Sequence, residues 1–355
     1  MGATSVTRSY TSIVASVLDK VRDKVEDQIT RNNKYLYGIK KNGNWKKVSS
    51  GGDRYRVSLM YELGAADSYS SFGQIDVTPS DGITSAFFDW RQSAAAVSIS
   101  GLEEFKNRGS ERVFDLLKER TMQSVMGLET LYNDGVLQGQ GSIDGSSFTT
   151  ARTSAVNGSS FVDPLPLLVS SDGTGTVGGI AAGTETWWKN QYADDTSSSF
   201  AGFLKALRNM YNLCSKGGGG AKGSPDWHIT DQYTFELYES ALAALHQNQS
   251  YVNADIPFQN VAFKGKPVVW DEKVPDIKNG DTTVGSGSDC GTWYMLNTSF
   301  LGTTVDSQHN FSVGDFVNPE NQDAKTALIL TYLVNWVSNR RKQGVLFGIT
   351  TSTAS

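Results

Sequence analysis

Three histidines, two cysteines and a few paired carboxylates are the residues with which this chain could do chemistry, and their spacing gives none of them a partner. His228, His246 and His309 stand alone, with no two at the i, i+4 spacing that sets two ligands on one helical face. No cysteine pair lies near them, so no metal site is expected. The GGGGAKGS stretch around Lys222 has the glycines of a phosphate-cradling loop, but Ala221 precedes the lysine and Gly223 follows it, where the motif needs Gly-Lys and then Ser or Thr. GSGSDCG at 285–291 is not a nucleophile elbow, because its letters do not fall as Gly-x-Ser-x-Gly on a strand-turn-helix. Asp271 with Glu272, and Asp194 with Asp195, are candidate acid/base pairs, yet adjacent carboxylates are common on protein surfaces. Neither a catalytic centre nor a cofactor is expected.

Composition narrows the class further. With 355 residues, 38% hydrophobic content and a net charge of −5, the chain can bury a large core and carries no basic excess of the kind a dedicated nucleic-acid binder needs. Cys214 and Cys290 are the only cysteines, so no disulfide framework is expected and folding in a reducing cytosol is the simplest inference. No apolar run approaches the roughly 20 residues of a membrane span, and MGATSVTRSYTS lacks the apolar stretch of a signal peptide, so no membrane contact is expected.

The elements that must make up the fold alternate irregularly, which indicates an α+β architecture. Ile13 to Ile29 keeps a helical step, and Arg31 to Lys47 then holds Arg31, Lys34, Lys40, Lys41, Lys46 and Lys47 with interleaved aromatics and no acid. Tyr55, Val57, Leu59, Tyr61 and Leu63 alternate with polar residues as a strand, and Ile83 to Ser100 reads as its hairpin partner after the Asp81-Gly82 turn. That hairpin is too long for its own core to cover. A long helix is expected from Ser110 to Asn133, with Gly135 as its stop, at about 36 Å for 1.5 Å per residue.

Helices are expected at Ser197–Lys216 and Asp231–His246, short strands at 226–230 and 258–270, and a strand pair in GTWYMLNTSFLGTTVD. The apolar TALILTYLVNWV is β-branched enough to favour strand, with Arg340, Arg341 and Lys342 at a bend before a last strand.

The order of these parts resembles the major capsid proteins of tailed bacteriophages, which have the Hong Kong 97 fold. The strings that carry the likeness are WWKN, KGKPVVWDEKVPD, WYMLNTSFL, NPENQDAKTALIL and NRRKQGVLFGI, spread from about Val48 to Ile349. None is diagnostic alone; their order and spacing make the case.

The resemblance implies an N-terminal arm at 1–50, an extended loop at 51–100, a peripheral domain with a spine helix at 101–162, an axial domain at 163–290, and return strands with a final axial strand at 291–355. It implies self-assembly into hexamers and pentamers of an icosahedral shell in the virion, assembled in the host cytoplasm. Packaged double-stranded DNA would be touched weakly and without specificity, a portal would be a partner, and scaffold or decoration proteins are further candidates. Tyr55, Val57, Tyr61, Phe87, Phe88, Trp90 and Arg91 become candidates for contact between subunits, and the six basic residues of 31–47 for arm contacts.

No lysine occurs between Lys47 and Lys106, so covalent crosslinking through a loop lysine is not expected, and with a short arm no large built-in, cleaved scaffolding region is expected. The same fold builds encapsulin shells around cargo enzymes, an alternative that WWKN and NRRKQGVL disfavour. A secreted polysaccharide-active protein, the alternative from another class, should show a signal peptide and a carboxylate pair.

Overall fold

In a computed structural model, residues 33–49, 51–64, 66–74, 78, 81–106, 116–138, 162–195, 197, 199–217, 222–244, 261–274, 291–320 and 322–349 are described. The expected helix at 13–29, Arg31, His246 and Cys290 lie outside them. Among the described residues fifteen strands follow in order: β1 Trp45–Val48, β2 Arg54–Met60, β3 Ile83–Asp89, β4 Arg91–Ser100, β5 Thr176–Val177, β6 Ile180–Ala181, β7 Gln191–Asp194, β8 Trp227–Thr230, β9 Val261–Phe263, β10 Lys266–Trp270, β11 Gly291–Leu296, β12 Leu301–Asp306, β13 Ser312–Val313, β14 Ala324–Val337 and β15 Gly344–Ile349.

Two main sheets result. β1, β12, β14 and β13 form one, with β4 on the other edge of β14, and β7, β15, β11, β8, β10 and β9 form the second in that order. β14 organises the first sheet because its fourteen residues span roughly 46 Å at 3.3 Å each, long enough to pair β12, β13 and β4 at once.

β11 organises the second sheet. It is buried on both faces, so its alternation sends Trp293 and Met295 to the core beneath helices Phe200–Ser215 and Gln232–Ala244, while Tyr294 and Leu296 join the other core with Leu301, Val305 and Leu333. GTWYMLNTSFLGTTVD is thus two strands, as expected, but they belong to different sheets and do not pair with each other.

Local chemistry explains the helix ends. The Ser199 side chain accepts from the Gly202 amide at the start of Phe200–Ser215, and Lys342 donates from Nζ to the Ser215 and Lys216 carbonyls at its end, where a cation suits the helix dipole. Asp231 accepts from the Thr234 amide at 3.0 Å to start Gln232–Ala244, and its other oxygen accepts from the Thr292 amide at 2.8 Å, so one carboxylate caps a helix and ties it to β11.

Two expectations are corrected. The strand at 83–100 breaks at Trp90: β3 pairs β2, whereas β4 leaves the hairpin and pairs β14 over ten residues, which offer a longer edge than β2 can. The long helix is described over Leu116–Gln138 and passes through Gly135, because Val136 and Leu137 are fully buried and hold the chain helical beyond that glycine. Ser100 and Glu103 also form a reciprocal capping box, amide to side chain in both directions, that starts a short helix at Gly101–Lys106.

The basic stretch is not a loose arm from Asn33 onward. Asn33 accepts from the Leu36 amide and caps the helix Lys34–Lys41, whose Tyr35, Leu36 and Ile39 are buried, and β1 then pairs parallel with β12. Gly38 faces the Trp227 indole, and a Cβ there would stand 2.6 Å from the ring, so glycine lets the helix lie flat on it.

The long helix is bolted to the first sheet by a buried polar cluster. Tyr132 donates its hydroxyl proton to Asn335 Oδ1 at 2.9 Å, Thr303 donates to the same oxygen at 2.7 Å, and Asn335 Nδ2 donates to the Asp163 carbonyl at 3.1 Å. Replacing Tyr132 by Phe removes one donor and leaves the Asn335 oxygen served by Thr303. Chemical denaturation of the subunit should show Tyr132→Phe less stable by about 1–2 kcal/mol; an unchanged midpoint would mean that the cluster does not hold the helix.

Candidate assembly surface

β2 and β3 form a separate two-stranded ribbon in register from Arg54↔Asp89 to Met60↔Ile83. Alternation gives it two unlike faces. Tyr55, Val57, Leu59, Ala86 and Phe88 turn inward, where Leu59, Ala86 and Phe88 are buried in the chain's own core. Arg56, Ser58, Met60, Ile83 and Phe87 turn outward and are exposed. At the ribbon's end Leu63, Tyr69 and Phe72 are exposed too, Met60 by 72% and Phe72 by 99%. Large apolar side chains left exposed along a thin ribbon and in the segment beyond it are unusual for a surface that meets only water.

The structure sorts the expected contact residues accordingly. Phe88 is corrected: it is fully buried within its own chain and has no surface to offer a neighbour. Tyr55 lies 6.0 Å from the Trp336 ring and 6.4 Å from Trp90, which it meets edge-on, so these side chains and Val57 pack at the ribbon's base. Tyr61 and Phe87 remain partly exposed. Of the basic residues, Lys34 is also corrected. It is buried, donates from Nζ to the Trp270 carbonyl and lies 4.0 Å over the Trp270 ring; burial pulls its pKa down to about 8. Lys40, Lys41, Lys46 and Lys47 are exposed, with Lys40 over Trp45 and Lys46 over Trp336, each 5.0 Å from its ring.

Under the ribbon lies a platform built from the β5–β6 hairpin and Trp187–Trp188, of which only the two tryptophans, as large amphipathic anchors, stand out in the sequence. Its anchor is Arg340, which is 0% exposed. Nε donates to the Leu168 carbonyl at 3.0 Å, and Nη2 to the Thr174 carbonyl at 3.3 Å and to Asn190 Oδ1 at 3.1 Å. Burial lowers the guanidinium pKa to about 10, while Asp172 works the other way. Asn190 in turn donates to the Ser170 carbonyl at 2.7 Å, and Trp188 donates from Nε1 to the Val177 carbonyl at 3.0 Å. One guanidinium therefore fixes both chain segments that lead into the hairpin. The signal in the sequence was Arg-Arg-Lys between two apolar strands, legible as a bend but not as an anchor.

Charges gather where the ribbon meets the body. Arg54 pairs with Asp89 at 3.1 Å, Arg91 lies 3.8 Å from the same carboxylate, and Asp163 sits beside them with its pKa pushed up to about 6 by burial, against the pull of Arg91. Several of the residues considered for catalysis are tied into the fold. His228 is packed among Tyr211, Phe263 and Trp293, and burial lowers its pKa to about 3. His309 bonds Asp306 at 2.6 Å and stacks on Tyr332, and the buried Cys214 thiol is pushed up to about 12. Asp271 is buried while the neighbouring Glu272 is exposed, so the two do not form a matched pair. Among the described residues no three His, Cys, Asp or Glu side chains gather to hold a metal, and no helix is long and apolar enough to cross a membrane.

No family model and no curated protein matches the sequence. Solved structures do match the fold. The capsid protein of cyanophage A-1(L) is 14% identical with a TM-score of 0.66, covering 95% of this chain and 98% of its own. The capsid of an empty GTA particle is 11% identical with a TM-score of 0.58, covering 94% and 96%. The holo-SrpI encapsulin complex of Synechococcus elongatus is 10% identical with a TM-score of 0.51, covering 93% of both chains. The chain has an α+β capsid fold, that of phage shells and, at a lower score, of an encapsulin. Within that class it is the Hong Kong 97 fold, present over nearly the whole chain.

Asp163 gives the ribbon's base a pH dependence. Its folded pKa lies above the ordinary value of 3.8, so the fold favours the protonated form. The stabilisation is complete below the unfolded value and is lost as pH rises through about 6, a change of up to about 3 kcal/mol for a shift of this size. Asp163→Asn should flatten the stability profile between pH 4 and 6 relative to the parent chain in denaturant titrations. Parallel profiles for the two would contradict this assignment.

Proposed function

We propose that the chain is the major capsid protein of a tailed bacteriophage, a non-catalytic protein that assembles into the hexamers and pentamers of an icosahedral head around double-stranded DNA. The observation that carries this reading is the ribbon: its inner face is covered by its own chain, while its outer face and apolar end have no cover, on a fold shared along nearly its full length with capsid proteins. Burying such surface against a sister copy contributes roughly 25 cal/mol per Å². In this reading the arm of 1–50 ends in the packed helix Lys34–Lys41 and β1, the extended loop of 51–100 is the β2–β3 ribbon with β4 already joined to β14, 101–162 belongs to the peripheral domain with Leu116–Gln138 as its spine, 163–290 to the axial domain, and 291–355 supplies β11 and β15 to the axial sheet and β12 and β14 as return strands.

The partners are copies of the same chain and a portal, with scaffold or decoration proteins as further candidates, and the place is the virion. Lys40, Lys41, Lys46 and Lys47 supply point charges for DNA phosphate. The net charge of −5 keeps such contact weak and salt-sensitive. An encapsulin-like compartment is the second reading, favoured by the likeness to the Synechococcus shell. Particles from the native source separate the two by content, nucleic acid in one case and cargo protein in the other.

Expression of the full chain, followed by size-exclusion chromatography and negative-stain microscopy, should give ring-shaped capsomers or closed polyhedra. A species that stays monomeric at high concentration would refute a shell function. A variant with Leu63, Tyr69 and Phe72 changed to Ser should keep the subunit's unfolding midpoint, because these side chains are exposed, and should slow assembly at least about tenfold, as expected when apolar contacts at an interface are lost. Assembly at the parental rate would take the ribbon's end out of the interface.

A further inference from the structure

A two-stranded ribbon has little stability of its own, so something must set its direction before any neighbour arrives. Three contacts from one short segment do so. The Phe87 amide, which turns away from β2, donates to the Gly178 carbonyl at 2.9 Å and so closes the free edge of β3 at that point. Gly178 itself lies under the ribbon at φ +61°; a Cβ there would stand 2.7 Å from the Ala86 Cβ and 3.2 Å from the Phe88 ring. Further out, Trp187 stacks on Tyr61 with ring centres 5.1 Å apart and planes 19° from parallel, and its Nε1 donates to Glu185 at 2.7 Å.

We propose that the β5–β6 hairpin together with Trp187 is a strap that holds the assembly ribbon at a fixed angle on its own body in the free subunit. The strap reaches only the inner face and one edge, so it leaves Met60, Ile83 and the outward side of Phe87 open. It therefore pre-positions the ribbon without competing for the surface a sister copy would cover, and it lowers the ordering cost of association. Rigidity reaches it from the body: Arg340 fixes Thr174 and Asn190, on either side of the hairpin and Trp187. Gly178 is required twice over, by its left-handed backbone and by the missing Cβ.

The role in assembly rests on the capsid reading, but the strap does not, and hydrogen exchange resolved to single amides in the unassembled full-length chain tests it directly. The Phe87 amide should be protected in the parent and should exchange at least about tenfold faster in Gly178→Ala and in Trp187→Ala. Trp187 is half-buried and has no backbone constraint of the kind Gly178 carries, so Trp187→Ala keeps the test valid if Gly178→Ala does not fold. Ser58→Ala, on the outward face, should leave the rate unchanged. A Phe87 amide already unprotected in the parent, or equally protected in a folded Gly178→Ala or in Trp187→Ala, would overturn the strap. Light scattering then reads assembly separately. Slower assembly of Trp187→Ala is expected, and parental kinetics with a loosened ribbon would remove the pre-positioning role while leaving the strap itself intact.

Discussion

A two-stranded ribbon with one apolar face in and one out cannot be completed by the chain that carries it, and much of this molecule follows from that constraint. The body covers the inner face by burying Leu59, Ala86 and Phe88, and this commits a segment some ninety residues later in sequence to serve as the floor. That floor is short and rich in glycine, so it cannot hold itself. The buried Arg340 holds it through the backbone carbonyls of Leu167, Leu168 and Thr174 and the Asn190 side-chain oxygen. A guanidinium suits this task better than an ammonium, because its planar donors reach several acceptors at fixed angles.

The same economy appears at other junctions. Asp231 caps a helix and ties it to β11; Lys342 closes another helix from the bend before β15; Asn335 gathers the long helix, β12 and the segment at Asp163. Each is a buried or half-buried polar group placed where two elements of distant sequence meet. Such groups destabilise when left unpaired, so they fix register as well as adding stability. The ordinary apolar contacts fill the space between them, and among the described residues the ribbon's outer face is one of the apolar surfaces they leave uncovered, with Leu102, Phe105 and Val317 on other elements.

Strands and amphipathic helices were legible because their periods are local: β14 from its β-branched run, Phe200–Ser215 from its spacing and its Gly-rich end. Which strand pairs with which was not, since β11 and β12 are adjacent in sequence yet enter different sheets. Gly135 misled as a helix stop because tertiary burial of Val136 and Leu137 outweighs the propensity of one glycine. Lys34 read as a surface charge because periodicity alone does not reveal that Trp270 and its carbonyl wait above it. Of the candidate contact surface, the alternation in β2 was visible, whereas the floor of Gly178 and Trp187 required the fold.

The central claim is that the ribbon's outer face is finished by other copies of the chain. Met60 reports on it directly, because its side chain is 72% exposed in the subunit and its sulfur is open to mild peroxide. Footprinting of Met60 in free subunits and in assembled particles should show sulfoxide formation falling severalfold on assembly. Equal oxidation of Met60 in both would mean that no neighbour covers this face and would contradict the account.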